Sequence, residues 1–303
     1  MGRPAAAGAS QRLSGIAQGI RLPGAKCKPA EFHLAFQGAD TPKAARTIVL
    51  ANQKGGVAKT TTTLNLGVAL AEKGRRVLAI DLDPQSNLSM SQGIDIENLQ
   101  ATMYDVLTGA KPLRDVIHRR EIDIAVAGIE LASAELALSS QMGRERALQR
   151  AIKAVEKSYD YILIDTPPSL GLLTINALVA ADGVIVPVQC EYLSLRGLAQ
   201  LRDTLAQVQE HLNPDVEILG ILPTMYDGRT IHGREAVSLL KQHFGRLVFR
   251  TRVGKTIRFA EAPVDGKSVL AYESGGQAAR WYRRMCQEVI ERLEGPDAEA
   301  KAA

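Results

Sequence analysis

Cysteine is scarce: Cys27, Cys190 and Cys286 are the only three in 303 residues, and no two of them stand at a C-x-x-C spacing. A disulfide framework is thereby excluded, zinc and iron–sulfur sites lack a ligand set, and a reducing, cytoplasmic compartment is expected. Aromatic residues make up only 4% of the chain, too few for recognition that stacks bases on exposed rings. No apolar run reaches the ~18–20 residues that a membrane span requires. The N-terminal stretch is basic, but Gly, Pro and charged residues interrupt its apolar runs, so the h-region of a secretory signal is not expected. None of the five histidines has a metal or triad partner in view.

What is present, 46% apolar and 23% charged residues, describes an ordinary globular chain. Its net charge of +4 is unevenly placed. Residues 1–46 carry seven Lys and Arg against Glu31 and Asp40, a net +5, whereas residues 229–258 carry eight against Glu235 alone, a net +7. Residues 1–46, rich in Ala, Gly and Pro and without a sustained period, are expected to form a flexible basic arm, and 295–303 a disordered tail. Between them, short apolar runs at 47–51, 76–81, 122–127, 161–165, 183–188 and 216–222 read as buried strands. They alternate with helical patterns at 60–73, 145–157, 169–181, 194–211 and 277–293. This alternation predicts an α/β fold with a mainly parallel sheet covered by helices on both faces.

Directly after the first strand stands Lys54-Gly55-Gly56-Val57-Ala58-Lys59-Thr60-Thr61, followed by a helix. A glycine-rich turn entering a helix offers successive backbone N–H groups to an anion. The helix terminus adds partial positive charge, Lys59 reaches outer phosphates, and the Thr60 hydroxyl suits Mg²⁺. Ala58 replaces the glycine that precedes the lysine in G-x-x-x-x-G-K-[ST]. Either φ at this alanine is ordinary, or the loop stores about 1 kcal/mol of strain.

The stretch 52–62 resembles the deviant Walker A loop of the ParA/Soj/MinD class of P-loop ATPases, whose additional lysine is Lys54 here. Residues 78–85 resemble the second strand motif of that class and 161–169 its Walker B strand; 224–230 and 259–263 match blocks typical of chromosomal ParA (Soj) proteins. The resemblance implies one P-loop domain over 47–294, with a twisted, mainly parallel sheet, and ATP and Mg²⁺ as cofactors. The N–H groups of Gly55, Gly56, Val57, Ala58, Lys59, Thr60 and Thr61 would cradle the phosphates, and Met225 would lie against the base. Thr60, Asp83 and Asp165 would surround Mg²⁺. Catalysis would fall to Lys59, to Asp83 as the residue positioning the attacking water, and to Lys54, which reaches across a homodimer that sandwiches ATP.

Alternation puts Asp81 and Asp83 on one strand face, so only the resemblance selects Asp83. A carboxylate at a strand end, such as Asp165, also fits a helix cap. At 253–256, Gly254 and Thr256 depart from the proline and asparagine that many Soj sequences carry near the adenine ring. In the basic segment, Arg229 and Arg258 occupy positions of DNA-binding arginines, and Lys255, Arg250, Arg252 and Arg246 extend the patch; a merely solvated surface is the plain alternative. Arginine–phosphate pairing reads no bases, so the implied partner is non-specific double-stranded DNA, bound in a salt-sensitive way.

The implied function is partition or positioning of chromosome or plasmid DNA on the nucleoid, with a ParB-like protein stimulating slow hydrolysis. The alternative is a MinD-like or other cargo-positioning ATPase acting on a membrane or a large protein assembly. Its candidate anchor is the stripe Trp281, Met285, Val289 and Leu293, but Glu288, Glu291 and Glu294 interrupt the basic face and favour a core-facing helix.

Overall fold

The computed structural model describes residues 45–190 and 195–295. The expected arm, apart from its last two residues, and the expected tail beyond Gly295 lie outside the described residues. Among the described residues there are seven strands, six of them on the expected apolar runs: β1 (Arg46–Leu50), β2 (Val77–Asp81), β3 (Ile117–Arg119), β4 (Asp123–Ala125), β5 (Tyr161–Asp165), β6 (Gly183–Gln189) and β7 (Glu217–Thr224). They form one sheet in the order β3-β4-β2-β5-β1-β6-β7, parallel throughout except where β3 meets β4. The central strands β2 and β5 are buried along their whole length, as a parallel sheet covered on both faces requires.

Five longer helices cover the sheet: α1 (Lys59–Glu72), α2 (Leu172–Ala180), α3 (Leu195–His211), α4 (Ile231–Phe244) and α5 (Gln277–Glu294). Ten of the fourteen residues of α1 are buried, because the helix lies between the sheet and α5. A Cβ on Gly67, in its middle, would stand 2.6 Å from Ile122 Cδ1, so glycine here permits the close approach of helix to sheet. Met285, Val289 and Leu293 of α5 are buried in the core. The stripe is therefore an internal face, and no helix among the described residues is long and apolar enough to cross a membrane.

Several local expectations change, and α4 is a helix where no helical pattern was expected. β3 is an unanticipated edge strand of three residues, Ile-His-Arg, too short to show a period of two. β1 begins one residue early, since Arg46 N donates to Asp160 O at 2.9 Å. The helix expected over 145–157 is only Ala147–Lys153, flanked by 3₁₀ turns Arg144–Arg146 and Glu156–Ser158. Gly143 enters with φ 67°, and Val155 leaves helical geometry at φ −123°.

Candidate functional site

The carboxyl ends of β1, β5 and β2 lie side by side, with Leu50 and Asp81 both in register with Asp165. Open parallel sheets bind ligands at this edge. A cleft of about 880 Å³ opens there, lined by Gly55, Gly56, residues 58–61, Asp83, Met225 and residues 253–257.

The loop after β1 is pinned from both sides. Asn52 Nδ2 donates to Pro187 O at 2.7 Å while its Oδ1 accepts from Lys54 N at 2.9 Å. Thr224 Oγ1 donates to the carbonyl of buried Val57 at 3.1 Å. Gly56 has φ 70°, and Ala58 has φ 71° and ψ 36°. Of the two possibilities the sequence left, Ala58 therefore takes the strained one, at a cost of about 1–2 kcal/mol. Ala58 also caps α1 without a side-chain hydrogen bond, so the first-turn N–H groups of α1 meet no capping oxygen and face the demand an anion satisfies.

Lys59 is buried, its Nζ 3.5 Å from Lys54 O. Burial holds its ammonium below the ordinary lysine pKa, against the opposing pull of the Asp165 and Asp83 carboxylates. Thr60 Oγ1 donates to Asp165 Oδ2 at 2.6 Å, and Thr63 Oγ1 lies 3.4 Å from Asp165 Oδ1. Asp165 thus binds hydroxyls of α1, and α2 is capped by Gly171 instead, which removes the helix-cap alternative. Burial, reinforced by the neighbouring Asp81 carboxylate, pushes the Asp165 pKa up to about 8.

A hydroxyl and a carboxylate at this spacing form a hard-oxygen pair that fits Mg²⁺, and a divalent cation would restore the charged form that burial disfavours. Among the described residues no group of three or more His, Cys, Asp or Glu could hold a metal.

Asp81 and Asp83, indistinguishable by alternation, separate in space. Asp81 is fully buried and accepts from Ser89 N at 3.0 Å, Ser89 Oγ at 2.8 Å and Asp83 N at 3.2 Å; burial raises its pKa to about 6. It fastens the turn that follows β2. Asp83 lines the cleft, with Oδ1 accepting from Gln85 N at 3.0 Å.

On the opposite wall, Met225 has φ 51°. Tyr226 N donates to Val253 O at 3.0 Å and bridges Gly254 in parallel. A Cβ on Gly254 would stand 2.5 Å from Trp281 Cη2 and 2.8 Å from Cζ2. The indole edge occupies the space a proline ring would need, which explains the departure at this position. Gly254→Ala is expected to displace Trp281, shift its fluorescence, and lower stability by about 1–3 kcal/mol in thermal unfolding; an unshifted spectrum with unchanged stability would contradict this packing.

The basic segment looks different in three dimensions than in sequence. Arg229, 91% exposed at its side chain, pairs with Asp227 through Nη2–Oδ2 at 2.9 Å. Arg258 binds Glu261 at 2.6 Å and Glu273 at 3.1 Å. Arg250 binds Glu291 at 2.7 Å, and Arg252 Nη1 donates to the Tyr226 hydroxyl at 2.8 Å. Lys255 lies on the rim of the cleft. The near absence of acid inside 229–258 is therefore a property of the sequence window, since neighbouring elements and α5 supply carboxylates to it. These pairs are exposed and screened by solvent, so each adds little to stability.

Comparison with known proteins places this geometry. A family model described as an AAA domain matches residues 45–218. The sporulation initiation inhibitor protein Soj of Bacillus subtilis is 44% identical over 247 residues, covering 80% of this chain and 98% of Soj. The chromosome partitioning protein ParA of Caulobacter vibrioides is 43% identical over 263 residues, 85% of this chain and 98% of that protein. Among solved structures, the cobyrinic acid a,c-diamide synthase of Mycobacterium smegmatis with bound ADP and magnesium superposes with a TM-score of 0.74 at 39% identity, covering 82% of this chain and 96% of that one. With its double-lysine loop, strand-end aspartates and likeness to Soj and ParA over 80% and 85% of its length, the chain belongs to the ParA/Soj family of P-loop ATPases.

Proposed function

We propose that the protein binds ATP and Mg²⁺, dimerises around ATP, and binds double-stranded DNA without sequence preference. In this reading it partitions or positions chromosome or plasmid DNA on the nucleoid with a ParB-like stimulatory partner. The observation that carries the reading is the convergence of Lys59, Thr60 and Asp83 on one cleft, with Asp165 buried behind it and bound to Thr60 Oγ1.

Phosphoryl transfer needs the γ-phosphate fixed, its charge neutralised and a water held in line. Residues 55–61 hold phosphate oxygens through backbone N–H groups, and Lys59 binds the outer phosphates from a buried position. Thr60 and Asp165 would hold Mg²⁺, which when bound neutralises charge on the β- and γ-oxygens. Asp83 orients the attacking water. Lys54 completes the site of a second subunit, so nucleotide controls dimerisation. A dimer doubles the cationic surface, and two weak DNA sites act as one stronger site.

This predicts the outcome of a low-salt gel shift with ATP. Arg229→Glu and Arg258→Glu should each weaken DNA binding by about tenfold and flatten the salt dependence by about one unit of slope per lost phosphate contact. Unchanged binding by both variants would overturn the mapping of the DNA surface.

A further inference from the structure

A second cavity, of about 640 Å³, opens beside the nucleotide cleft, and Gly254 lines both. Its wall joins parts of the chain far apart in sequence: Tyr226 after β7, Thr251 and Arg252, and Trp281, Arg284 and Glu288 of α5. The three α5 residues stand three and four positions apart, on one face of the helix. Glu288 is the only carboxylate among the described residues of this wall, and both its oxygens are engaged. Oε1 accepts from Thr251 N at 2.7 Å and from Thr251 Oγ1 at 2.6 Å, and Oε2 accepts from Arg250 N at 2.8 Å. The arginines differ from those considered so far. Arg229, Arg250 and Arg258 each pair with a carboxylate. Arg252 is held by a neutral ring instead: its guanidinium carbon lies 4.8 Å from the Tyr226 ring centroid and Nη1 donates to the Tyr226 hydroxyl. Arg284 is exposed, and neither it nor Arg252 meets a carboxylate among the described residues. Two uncompensated cations on one concave wall draw an anion more strongly than arginines already paired.

We propose that this cavity is a phosphate-binding subsite of the DNA surface, in which Arg284 and Arg252 take a backbone phosphate of double-stranded DNA beside the Trp281 ring. The inference deepens the DNA-binding reading above and rests on it. Gly228 also lines the cavity, so the subsite is continuous with the loop that carries Arg229. Continuity with further arginines suits a polyanion, and guanidinium groups pair with phosphate oxygens without reading bases. Arg284 belongs to α5, outside the basic segment 229–258, so the charge of that segment gives no sign of it.

Trp281 is the only tryptophan of the chain, so its emission reports on this cavity. The test starts from the full chain saturated with Mg²⁺ and a non-hydrolysable ATP analogue. A random-sequence duplex is titrated in at low salt, and Trp281 emission and the anisotropy of labelled duplex are read together. Wild type is compared with Arg284→Lys, Arg284→Ala, Arg284→Glu and Arg283→Ala. The last removes the same charge one position away, but a charge that Glu72 already neutralises at 2.7 Å. Duplex should shift the Trp281 emission of wild type. Arg284→Ala should weaken duplex binding by about fivefold and lower the salt slope by about one unit, and Arg284→Glu should weaken it by at least about tenfold. Arg284→Lys and Arg283→Ala should stay within about threefold of wild type. Affinity for a fluorescent ATP analogue should stay within about twofold in every variant, because neither arginine lines the nucleotide cleft. Wild-type duplex affinity in Arg284→Glu, an equal loss in Arg283→Ala, or duplex binding that leaves Trp281 emission unchanged would overturn the subsite. A larger Trp281 response to polyglutamate than to duplex would overturn it in favour of an acidic protein partner. Absence of duplex binding by wild type would instead overturn the DNA reading on which the subsite rests.

Discussion

Lys59→Ala is expected to weaken ATP binding by at least about a hundredfold, measured by titration with a fluorescent ATP analogue and Mg²⁺. The Lys59 ammonium sits in a buried position beside the cleft. Burial disfavours its charge, and only the Asp165 and Asp83 carboxylates oppose that loss. A phosphate entering beside it supplies the counter-charge that the site lacks, and Lys59 supplies the phosphate with a charge-assisted donor in a place where water cannot substitute. Hydrogen bonds to charged groups contribute about 1.5–3 kcal/mol each, and about 1.4 kcal/mol is tenfold in affinity. Two such contacts account for the expected loss. The far-ultraviolet circular dichroism should be unchanged, since α1 keeps its buried face through Leu64, Leu66 and Leu70. Affinity within threefold of wild type would show that the loop is not the phosphate cradle.

Asp83→Ala should do the opposite: retain ATP affinity within about threefold and retain ATP-dependent DNA binding, while the rate of phosphate release falls by about 10²–10⁴. Asp83 lines the cleft and makes only a local bond to Gln85 N among those described for its side chain, so its removal disturbs little else. Asp81 provides the control. Asp81→Ala would leave the Ser89 N–H and hydroxyl and the Asp83 N–H without their buried acceptor. A loss of about 1–3 kcal/mol in thermal unfolding is expected for each unsatisfied group at most. Normal turnover by Asp83→Ala would remove its assignment.

The contrast between these two aspartates shows where sequence reading stops. A period of two states which residues share a strand face, but not which of them a following turn will cover. Ser89, eight residues on, decides that by donating twice to Asp81. Strands β1, β2, β5, β6 and β7 were legible because burial on both faces writes them as apolar runs. β3 was not, because three half-exposed residues carry no pattern.

The phosphate loop could be placed from its glycines and lysines, whereas the left-handed backbone of Ala58 could not be chosen over an ordinary one without coordinates. The basic segment misleads in the same way. Its arginines meet Asp227, Glu261, Glu273 and Glu291, none of which lies inside the window that was counted. That Asn52 pins the loop was not legible because its partner, the carbonyl of Pro187 on β6, lies 135 residues away in the chain. Trp281 explains Gly254 by the same kind of long-range meeting.

The central claim is that nucleotide state governs DNA binding through an ATP-bound dimer. Its most direct test is the affinity of the full chain for a random-sequence duplex at low salt, measured by fluorescence anisotropy with ADP, with ATP and with a non-hydrolysable ATP analogue. The account predicts binding at least about tenfold tighter with ATP and with the analogue than with ADP, declining steeply as salt is raised. Equal affinity in all three nucleotide states, or no binding in any of them, would contradict it.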